Sequence, residues 1–381
     1  MKPVDFSDST RSTAASISRT GKLLLIAAVV SSLGAGGLVA GPAIPFLPSP
    51  QNISTVPPNG DQNPYGVAFV PHDFKGGGGP LQPGDILVSN FNNSDNKQGT
   101  GTTIVRIGAD GSFSTFFAGP AHPTGSSGFG LSTALAVLRK GFVIVGNVPS
   151  MDGTAATSGP GSLLVIDSKG NLLSMISDAT INGPWDMTVD DRGGDNVTAF
   201  VSNAFAGTVV RLDLHLTASG VTVTRKTVIA SGYQHQGDAV TFVDGPTGLV
   251  FDANHDTLFV ASTADNAVYA VQNAKKATGS NGTGNIIYSD AVHLHGALGM
   301  AMAPNGHLLV TNNDVINSDP NQPSEIVEFT VTGQFITQLS VDPAQGGSFG
   351  LAVNVDDNIA TFAAVDDNTA SLLIWKLAVG H

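Results

Sequence analysis

Four histidines stand in polar stretches between apolar, strand-like segments, namely His122, His235, His293 and His295. Neutral imidazole binds zinc well, and three imidazoles with one open coordination position make a workable catalytic site. On an extended strand, side chains two residues apart point to the same side, so His293 and His295 can present two imidazoles together. No recognisable motif flanks these residues, and ordinary loop histidines are the simpler interpretation. A divalent metal such as zinc is therefore a candidate cofactor.

Aromatic and amide residues form a second candidate site, because they recur at the borders of apolar segments. The aromatic residues open such segments, and an aspartate follows one of them: Tyr65, Phe129, Trp185, Asp186 and Phe349. The amides close the segment that comes next: Asn90, Asn147, Asn203 and Asn312. Aromatic faces with amide donors and acceptors suit a neutral polar ligand such as a sugar or a peptide. The alternative is structural, since aromatic rings pack between sheets and asparagine often caps a turn at the end of a strand.

Several other chemistries lack the residues that they require. The chain has no cysteine, which excludes disulfides, thiolate metal ligands and thiol nucleophiles. It also has no G-x-S-x-G elbow of a serine hydrolase and no G-x-x-x-x-G-K loop for phosphates. Paired aspartates lie at or near turns, where the side chain bonds nearby backbone. The sequence leaves open whether the protein catalyses any reaction.

The elements that must position these residues are short β-strands, and they repeat. Six segments open alike, with a small or aromatic residue and usually a glycine, and they start at Asn63, Ser127, Gly183, Gly245, Gly296 and Gly347. Each continues as an apolar strand, often a turn, a second strand that ends in a small polar residue, a third strand and, in most copies, a fourth. The repeat length is roughly 50–65 residues, and four strands per repeat are typical of a propeller blade.

The last repeat stops after its third strand, so the ring needs a strand from elsewhere. Residues 52–56, at the start of the repeated region, are expected to pair with the strand that contains Leu372 and Leu377. A blade built from both ends of the chain removes the open edges that would otherwise aggregate. The sequence therefore predicts an all-β, six-bladed β-propeller over residues 52–381, closed by an N-terminal strand.

Strand direction is expected to place both candidate sites on one face of the propeller. The strands of a blade alternate in direction, so the start of strand one and the end of strand two meet beside the central channel. The aromatic residues and the amides are thus predicted to surround one channel mouth, with Tyr65, Trp185 and Phe349 partly exposed. The connections that carry the histidines belong to the same face.

The repeats resemble a known family. Residues 245–271, GPTGLVFDANHDTLFVASTADNAVYAV, look like an NHL repeat, which has a Pro-x-Gly start, an apolar strand, a turn and a second strand ending in small residues and Asp or Asn. The segments NPYGVAFV at Asn63 and GPWDMTVDD at Gly183 match its start. The resemblance covers about 320 residues in six degenerate copies and extends to the six-bladed proteins that include the gluconolactonase-like set. It implies the fold, whereas the activity stays open because this architecture hosts binders, scaffolds, hydrolases and lyases.

The resemblance also implies two kinds of metal site. Gluconolactonase-like enzymes hold a divalent cation with Glu, Asn and Asp side chains, the Asn at a strand-one start and the Asp at a strand-two end. Here no strand-one start carries Asn, and Asp186 is the only carboxylate at such a start. A hard cation requires several anionic oxygens, so lactonase chemistry is not expected. Some NHL-like lyases, such as the peptidyl-amidoglycolate type, instead hold zinc with histidines, and this implication matches the four histidines above.

The N-terminus has the pattern of a targeting segment. Residues 1–22 are polar and basic, residues 23–41 are apolar, and small residues follow. This order is typical of a secretory signal peptide, although the apolar run is also long enough for an uncleaved membrane anchor. Residues 42–51 are interpreted as a linker. The predicted location is therefore secreted or periplasmic, with membrane contact only if the segment is not cleaved.

Charge narrows the choice of partners. The formal net charge is −13, only 12% of residues are charged, and no basic cluster exists, which argues against nucleic acid and anionic membrane surfaces. The sequence favours an exported binding or interaction module that recognises a small polar ligand, a peptide or a protein at the channel mouth. The alternatives are a metal-dependent lyase or hydrolase with a histidine-held cation on that face, and a purely structural envelope protein.

Overall fold

The computed structural model describes residues 50–120, 128–238 and 242–379. The predicted signal segment, most of the predicted linker and His122 lie outside the described residues. Within the described ranges the chain is almost entirely β-structure, and its only helical element there is a single 3-10 turn at Ala155–Thr157. No helix in this part of the chain is long and apolar enough to cross a membrane.

The strands follow one another in antiparallel succession. In chain order they are β1 (Gln51–Ser54), β2 (Gln62–Phe69), β3 (Ile86–Asn92), β4 (Thr103–Ile107), β5 (Phe113–Ala118), β6 (Leu131–Val137), β7 (Phe142–Asn147), β8 (Ser162–Asp167), β9 (Leu172–Ile176), β10 (Pro184–Asp190), β11 (Asn196–Asn203), β12 (Thr208–Thr217), β13 (Gly220–Ser231), β14 (Gln236–Asp238), β15 (Phe242–Asp244), β16 (Pro246–Asp252), β17 (Thr257–Ser262), β18 (Ala267–Gln272), β19 (Asn285–Tyr288), β20 (Ala297–Met302), β21 (Leu308–Asn312), β22 (Glu325–Phe329), β23 (Phe335–Ser340), β24 (Ser348–Asp356), β25 (Ile359–Asp366) and β26 (Ser371–Ala378).

These strands form six four-stranded sheets, which are the six blades of a β-propeller. Blades one to five are β2–β5, β6–β9, β10–β13, β16–β19 and β20–β23, and blade six has the order β1-β26-β25-β24. Strands β14 and β15 form a separate hairpin between blades three and four, which the repeat pattern did not reveal. The prediction of an all-β, six-bladed propeller is confirmed.

Burial explains why each blade has strongly apolar inner strands. Strand β3 is buried along its whole length, whereas the outermost strand of blade two, β9, is exposed at four of its five residues. Apolar clusters lie between successive blades, and the cluster between blades two and three contains Ile144, Leu163 and Val201, each fully buried. Fully burying one such side chain contributes about 1.5–3 kcal/mol. The interfaces between blades are therefore the hydrophobic core.

Blade six combines the two ends of the described chain. Strand β1 pairs antiparallel with β26, with Gln51 opposite Ile374 and Ser54 opposite Ser371. The next residue, Thr55, donates from both its backbone N–H and its Oγ1 to the carbonyl of Ala370, at 2.9 Å each. The outer edge of β26 is covered along this stretch.

The start of strand one is irregular in the same way in every blade. Each pair of strands one and two changes register near the start of strand one, as between Pro64 and Val67 in blade one. A bulge of this kind bends the strand and re-aims its side chains. Neighbouring blades approach closely here. A Cβ added to Gly350 would lie 1.8 Å from the carbonyl oxygen of Tyr65, and a Cβ added to Gly299 would lie 2.3 Å from the carbonyl oxygen of Phe349. The glycines of the repeat allow the strand-one starts to pack tightly around the channel.

We expect removal of residues 51–57 to lower the midpoint of thermal unfolding by several degrees and to promote aggregation. The deletion exposes the edge of β26 and uncovers apolar surface between blades six and one. A deletion of equal length, residues 42–48, leaves β1 in place and serves as the control. Differential scanning calorimetry with light scattering measures both effects, and equal midpoints for the two deletions would contradict the role given to β1.

Candidate functional site

An aromatic plug fills the channel mouth at the strand-one starts. It consists of Tyr65, Phe91, Trp185 and Phe242, and it is bordered by Phe205 and Phe349. The ring centroid of Trp185 lies 5.4 Å from that of Phe91, 5.6 Å from that of Tyr65 and 6.2 Å from that of Phe242. These separations are typical of favourable aromatic pairs. Trp185 is only 1% exposed and Tyr65 5%.

The β14–β15 hairpin explains this burial. It brings Phe242 and Val243 against Trp185 from the connection between blades three and four. Phe242 has a φ of +71°, a conformation that is costly for a bulky side chain and persists only where the surroundings enforce it. The prediction that Tyr65 and Trp185 are partly exposed at an open mouth is therefore wrong. Trp185 stacks against Phe242 of an insertion outside the repeat, and Tyr65 packs among Phe91, Trp185 and Phe349.

The four predicted amides are buried and hold the backbone. Asn203 receives a hydrogen bond from the N–H of Asn182 and donates to the carbonyl of Thr180, in the segment that leads into its own blade. Asn312 in the same way receives from the N–H of His295 and donates to the carbonyl of His293. The other two bond backbone groups that likewise precede strand one of their blades, Asn90 to Thr55 and Asn147 to Gly130. These amides fix the segments that lead into blades one, two, three and five and are shielded from solvent, which corrects their predicted place at an open mouth.

The remaining aromatic residues are divided between two places. Phe349 is half-buried and stacks on Tyr65, with centroids 4.8 Å apart and an interplanar angle of 24°. Phe129 is also half-buried and stacks on Phe117 of blade one, 6.4 Å away. Only Tyr65 and Phe349 therefore remain together beside open space.

That space is a cavity of about 230 Å³, here called the rim cavity, beside the plug and among blades one, five and six. Its walls are Asn63, Tyr65, Asn92, Asn96, Gln98, Asn313, Val315, Gly346, Phe349 and Asp367. Five of these ten residues carry amide side chains. Most of the five lie in the loops that follow strand two of blades one and five, which were recognisable in the sequence as long polar loops. The predicted site contained none of these five amides, although Asn92 lies only two residues after the predicted Asn90 and Asn313 directly follows the predicted Asn312.

Asp367 is the one ionisable acid in the wall of the rim cavity. Burial, with a smaller contribution from the negative charge of Asp366, raises the pKa of Asp367 to about 7. Burial, together with the charge of Asp367, in turn raises the pKa of Tyr65, so the Tyr65 hydroxyl stays protonated. A carboxyl group with a pKa near neutrality can donate or accept a hydrogen bond at physiological pH.

Asp186 lies in a separate cavity on the channel axis. This cavity of about 310 Å³ is lined by strand-one residues of all six blades, among them Val67, Leu249 and Leu351. The Asp186 carboxylate accepts hydrogen bonds from the N–H groups of Met187 at 2.7 Å and Leu249 at 2.8 Å, so it joins blades three and four. Burial nevertheless raises the pKa of Asp186 to about 7. Asp186 takes the position that glycine holds in most other blades, and its side chain does not belong to the rim cavity.

The three predicted histidines that lie among the described residues do not converge. His235 is exposed and lines a third cavity, of about 490 Å³, next to the β14–β15 hairpin. His293 pairs through Nδ1 with Asp290 at 2.5 Å and stacks on Phe335. His295 faces Asp314 and Glu325 instead, and these three form the one group in the described ranges whose His, Asp or Glu ligand atoms lie close enough for a metal ion, within 4.8 Å. The structure therefore replaces the predicted cluster of histidines with a mixed histidine and carboxylate cluster.

Comparison with known proteins gives the fold. No protein-family profile matches the sequence, and no curated protein matches it. Among solved structures, the allergen Mala s 1 of Malassezia sympodialis has a TM-score of 0.53 at 12% identity, over 87% of this chain and 96% of that one. A gluconolactonase of Xanthomonas campestris has a TM-score of 0.50 at 12% identity over 86% and 90%, and a protein described as a putative glucose dehydrogenase, from Thermus thermophilus, has 0.50 at 12% over 86% and 100%. The chain is thus similar in fold to the gluconolactonase-like six-bladed propellers.

We expect Trp185→Ala to lower the free energy of unfolding by about 3–5 kcal/mol, the cost of removing a large buried aromatic side chain. The chain has one other tryptophan, Trp375, which is half-buried and stacked on Phe362, so Trp375→Ala is a matched control with a smaller expected loss. Urea unfolding followed by far-UV circular dichroism measures both. Equal losses would show that the plug contributes no more than a surface stack.

Proposed function

We propose that this protein is an exported binding module that recognises a neutral polar ligand, a saccharide or a peptide, in the rim cavity. The observation that carries the proposal is the convergence of five amides and two stacked aromatic rings, from three blades, around one cavity. Sites for small polar molecules combine apolar walls with a few convergent hydrogen-bonding groups in this way.

The wall composition supports a neutral ligand. Amide side chains each offer donors and an acceptor, which match hydroxyl groups of a sugar and peptide groups alike. The wall contains no Lys or Arg, and its one carboxyl, Asp367, has a pKa of about 7. An anionic ligand would meet no opposite charge in this cavity.

The volume limits the size of the bound group. About 230 Å³ is below the ~300–1,000 Å³ of sites for drug-sized ligands. One sugar ring, or one or two residues at the end of a peptide, is the expected occupant, with the rest of a longer ligand outside. Export to the periplasm or the exterior, expected from residues 1–41, would bring the module to such ligands. The protein would contact a membrane only if that segment stays uncleaved.

A metal-dependent lyase or hydrolase is less well supported. His295 and Glu325 are each 1% exposed and Asp314 is 8% exposed, so a substrate has no access to a cation held there. A hydrolytic or lyase site requires a coordination position that the substrate can reach.

We expect Asn63→Gly to weaken ligand binding by roughly 2–10-fold, which corresponds to the loss of one hydrogen bond of about 0.5–1.5 kcal/mol. Asn63 lines the rim cavity with a φ of +58°, and glycine adopts that conformation without strain. Asn273→Gly is the matched control, because Asn273 has a φ of +54° in an exposed turn that does not line the cavity.

The measurement begins with a panel of neutral mono- and disaccharides and uncharged tripeptides, screened by saturation-transfer NMR. Isothermal titration calorimetry of the best hit then compares wild type, Asn63→Gly and Asn273→Gly. Equal weakening by the two variants, or no binding from either ligand class, would contradict the proposal.

Asp367 also gives an expected pH dependence of stability. Its pKa in the folded protein, about 7, lies above the ordinary value of 3.8, so the folded state binds the proton more tightly than the unfolded state. Stability contributed by the protonated form is then lost as pH rises from about 4 to about 7.

We expect Asp367→Asn to abolish the decrease in folding stability that Asp367 causes as pH rises from about 4 to about 7. The free energy of unfolding of the variant relative to wild type should increase between pH 4 and 7 by up to a few kcal/mol, since one pKa unit equals about 1.4 kcal/mol, and then stay constant to pH 8. Urea unfolding at pH 4.5, 5.5, 6.5 and 7.5 measures the difference. A difference that does not change with pH would show that Asp367 titrates at its ordinary value.

A further inference from the structure

Three buried side chains in blade five lie close together, and each keeps one polar atom without a hydrogen-bond partner among the described residues. His295 precedes β20, Asp314 follows β21 by two residues, and Glu325 is the first residue of β22. The three side chains have ligand atoms within 4.8 Å of one another. His295 Nδ1, Asp314 Oδ1 and Glu325 Oε1 have no hydrogen-bond partner among the described residues, although at least nine-tenths of each residue is buried.

The second polar atom of each side chain is anchored. His295 Nε2 lies 3.1 Å from the carbonyl oxygen of Val292, and since a carbonyl only accepts, Nε2 carries the proton. In the neutral ring Nδ1 therefore presents its lone pair to the two carboxylates. Asp314 Oδ2 accepts from the N–H groups of Ser324 and Gly346, at 2.9 and 2.7 Å.

Glu325 follows the same pattern, because its Oε2 accepts from Nδ2 of Asn312 at 3.2 Å. Each of the three thus has one atom fixed by a protein partner and one atom left free. Metal-binding histidines characteristically donate their other N–H to a backbone carbonyl, and ligating carboxylates are hydrogen-bonded in turn.

Charge and burial give the reason for a ligand at this centre. Two neighbouring carboxylates that each keep one oxygen without a donor are costly to ionise in a dry environment, and burial raises the pKa of both Asp314 and Glu325. His295 Nδ1 lies 3.3 Å from Glu325 Oε1, but the pair lacks hydrogen-bond geometry. A divalent cation would neutralise both carboxylates and satisfy all three orphaned atoms at once.

We propose that His295, Asp314 and Glu325 form a binding site for a divalent transition-metal ion of the zinc type. One imidazole nitrogen with two carboxylate oxygens is a ligand set that zinc accepts, whereas calcium takes six to eight oxygens. The site is enclosed, so the ion has a structural role rather than a catalytic one.

The position of the site indicates what the ion stabilises. Asn313 and Val315, on either side of Asp314, line the rim cavity, as does Gly346, whose N–H bonds Asp314. An ion held by Asp314 would fix the loop after β21 and the segment before β24 against the body of blade five. The inference stands whether or not the rim cavity binds the ligand proposed above.

The test uses the full-length protein, stripped with a chelator and then titrated with Zn²⁺ alone. We expect about one zinc per chain by mass spectrometry of the metal, and a zinc-dependent rise of the unfolding midpoint. Glu325→Gln and His295→Gln should each weaken zinc affinity by at least ~10-fold. Removing a residue that only hydrogen-bonds to a metal ligand already costs about that much.

The matched controls are Glu328→Gln and His307→Gln. His307 and Glu328 form a pair of the same residue types in the same blade, 2.6 Å apart and partly exposed, without a third carboxylate among the described residues. These two variants should keep the zinc affinity of wild type. Co²⁺ in place of Zn²⁺ provides a second readout, since its visible absorption spectrum should change in the Glu325 and His295 variants only.

The proposal is overturned if stripped protein shows neither bound zinc nor a midpoint shift with Zn²⁺ at millimolar concentration. It is also overturned if the control variants lose affinity equally, because the zinc would then sit on surface groups. Failure of the sugar and peptide screen leaves each of these outcomes unchanged.

Discussion

No blade of this ring can bury both of its faces alone, and the rest of the structure depends on that constraint. The apolar clusters lie between neighbouring blades, so each blade completes its core only when a blade stands on either side. The interface between blades six and one contains Val88, Val105 and Val365, with Ile53 of β1 packed against it. A break at one interface therefore exposes two apolar faces, and the ring is stable only as a closed whole.

Closure also decides which space stays open at the channel mouth. The bulged starts of strand one and the glycines beside them bring the blades so close at the channel mouth that a few rings can fill it. The β14–β15 hairpin completes this seal with Phe242. The open space beside the plug is the rim cavity among blades one, five and six, where three of the five amides come from loops.

Four carboxylates of this sparsely charged chain whose pKa is raised by burial have different surroundings and hence different roles. Asp186 accepts two backbone N–H groups and joins two blades. Asp367 faces the rim cavity, and Asp314 and Glu325 each keep one oxygen without a partner in the described part of the chain. Desolvation acts on all four, but only the unpartnered ones call for an external proton or cation.

The sequence by itself determined the repeat, the number of blades, the alternation of strands and the positions that begin and end them, because these follow from local patterns of apolar residues, glycines and turns. It also identified Tyr65 and Phe349, which line the rim cavity, as candidate binding residues and His295 as a candidate metal ligand. It did not place Trp185 or the amides Asn90, Asn147, Asn203 and Asn312 correctly, since their burial depends on an insertion and on backbone groups that lie far from the strand ends in sequence. The partners of His295 were equally hidden, because Asp314 and Glu325 lie 19 and 30 residues further along the chain and carry no motif. Only the packing of β20, β21 and β22 in one blade brings the three side chains together, and only tertiary structure removes the water that would otherwise satisfy them.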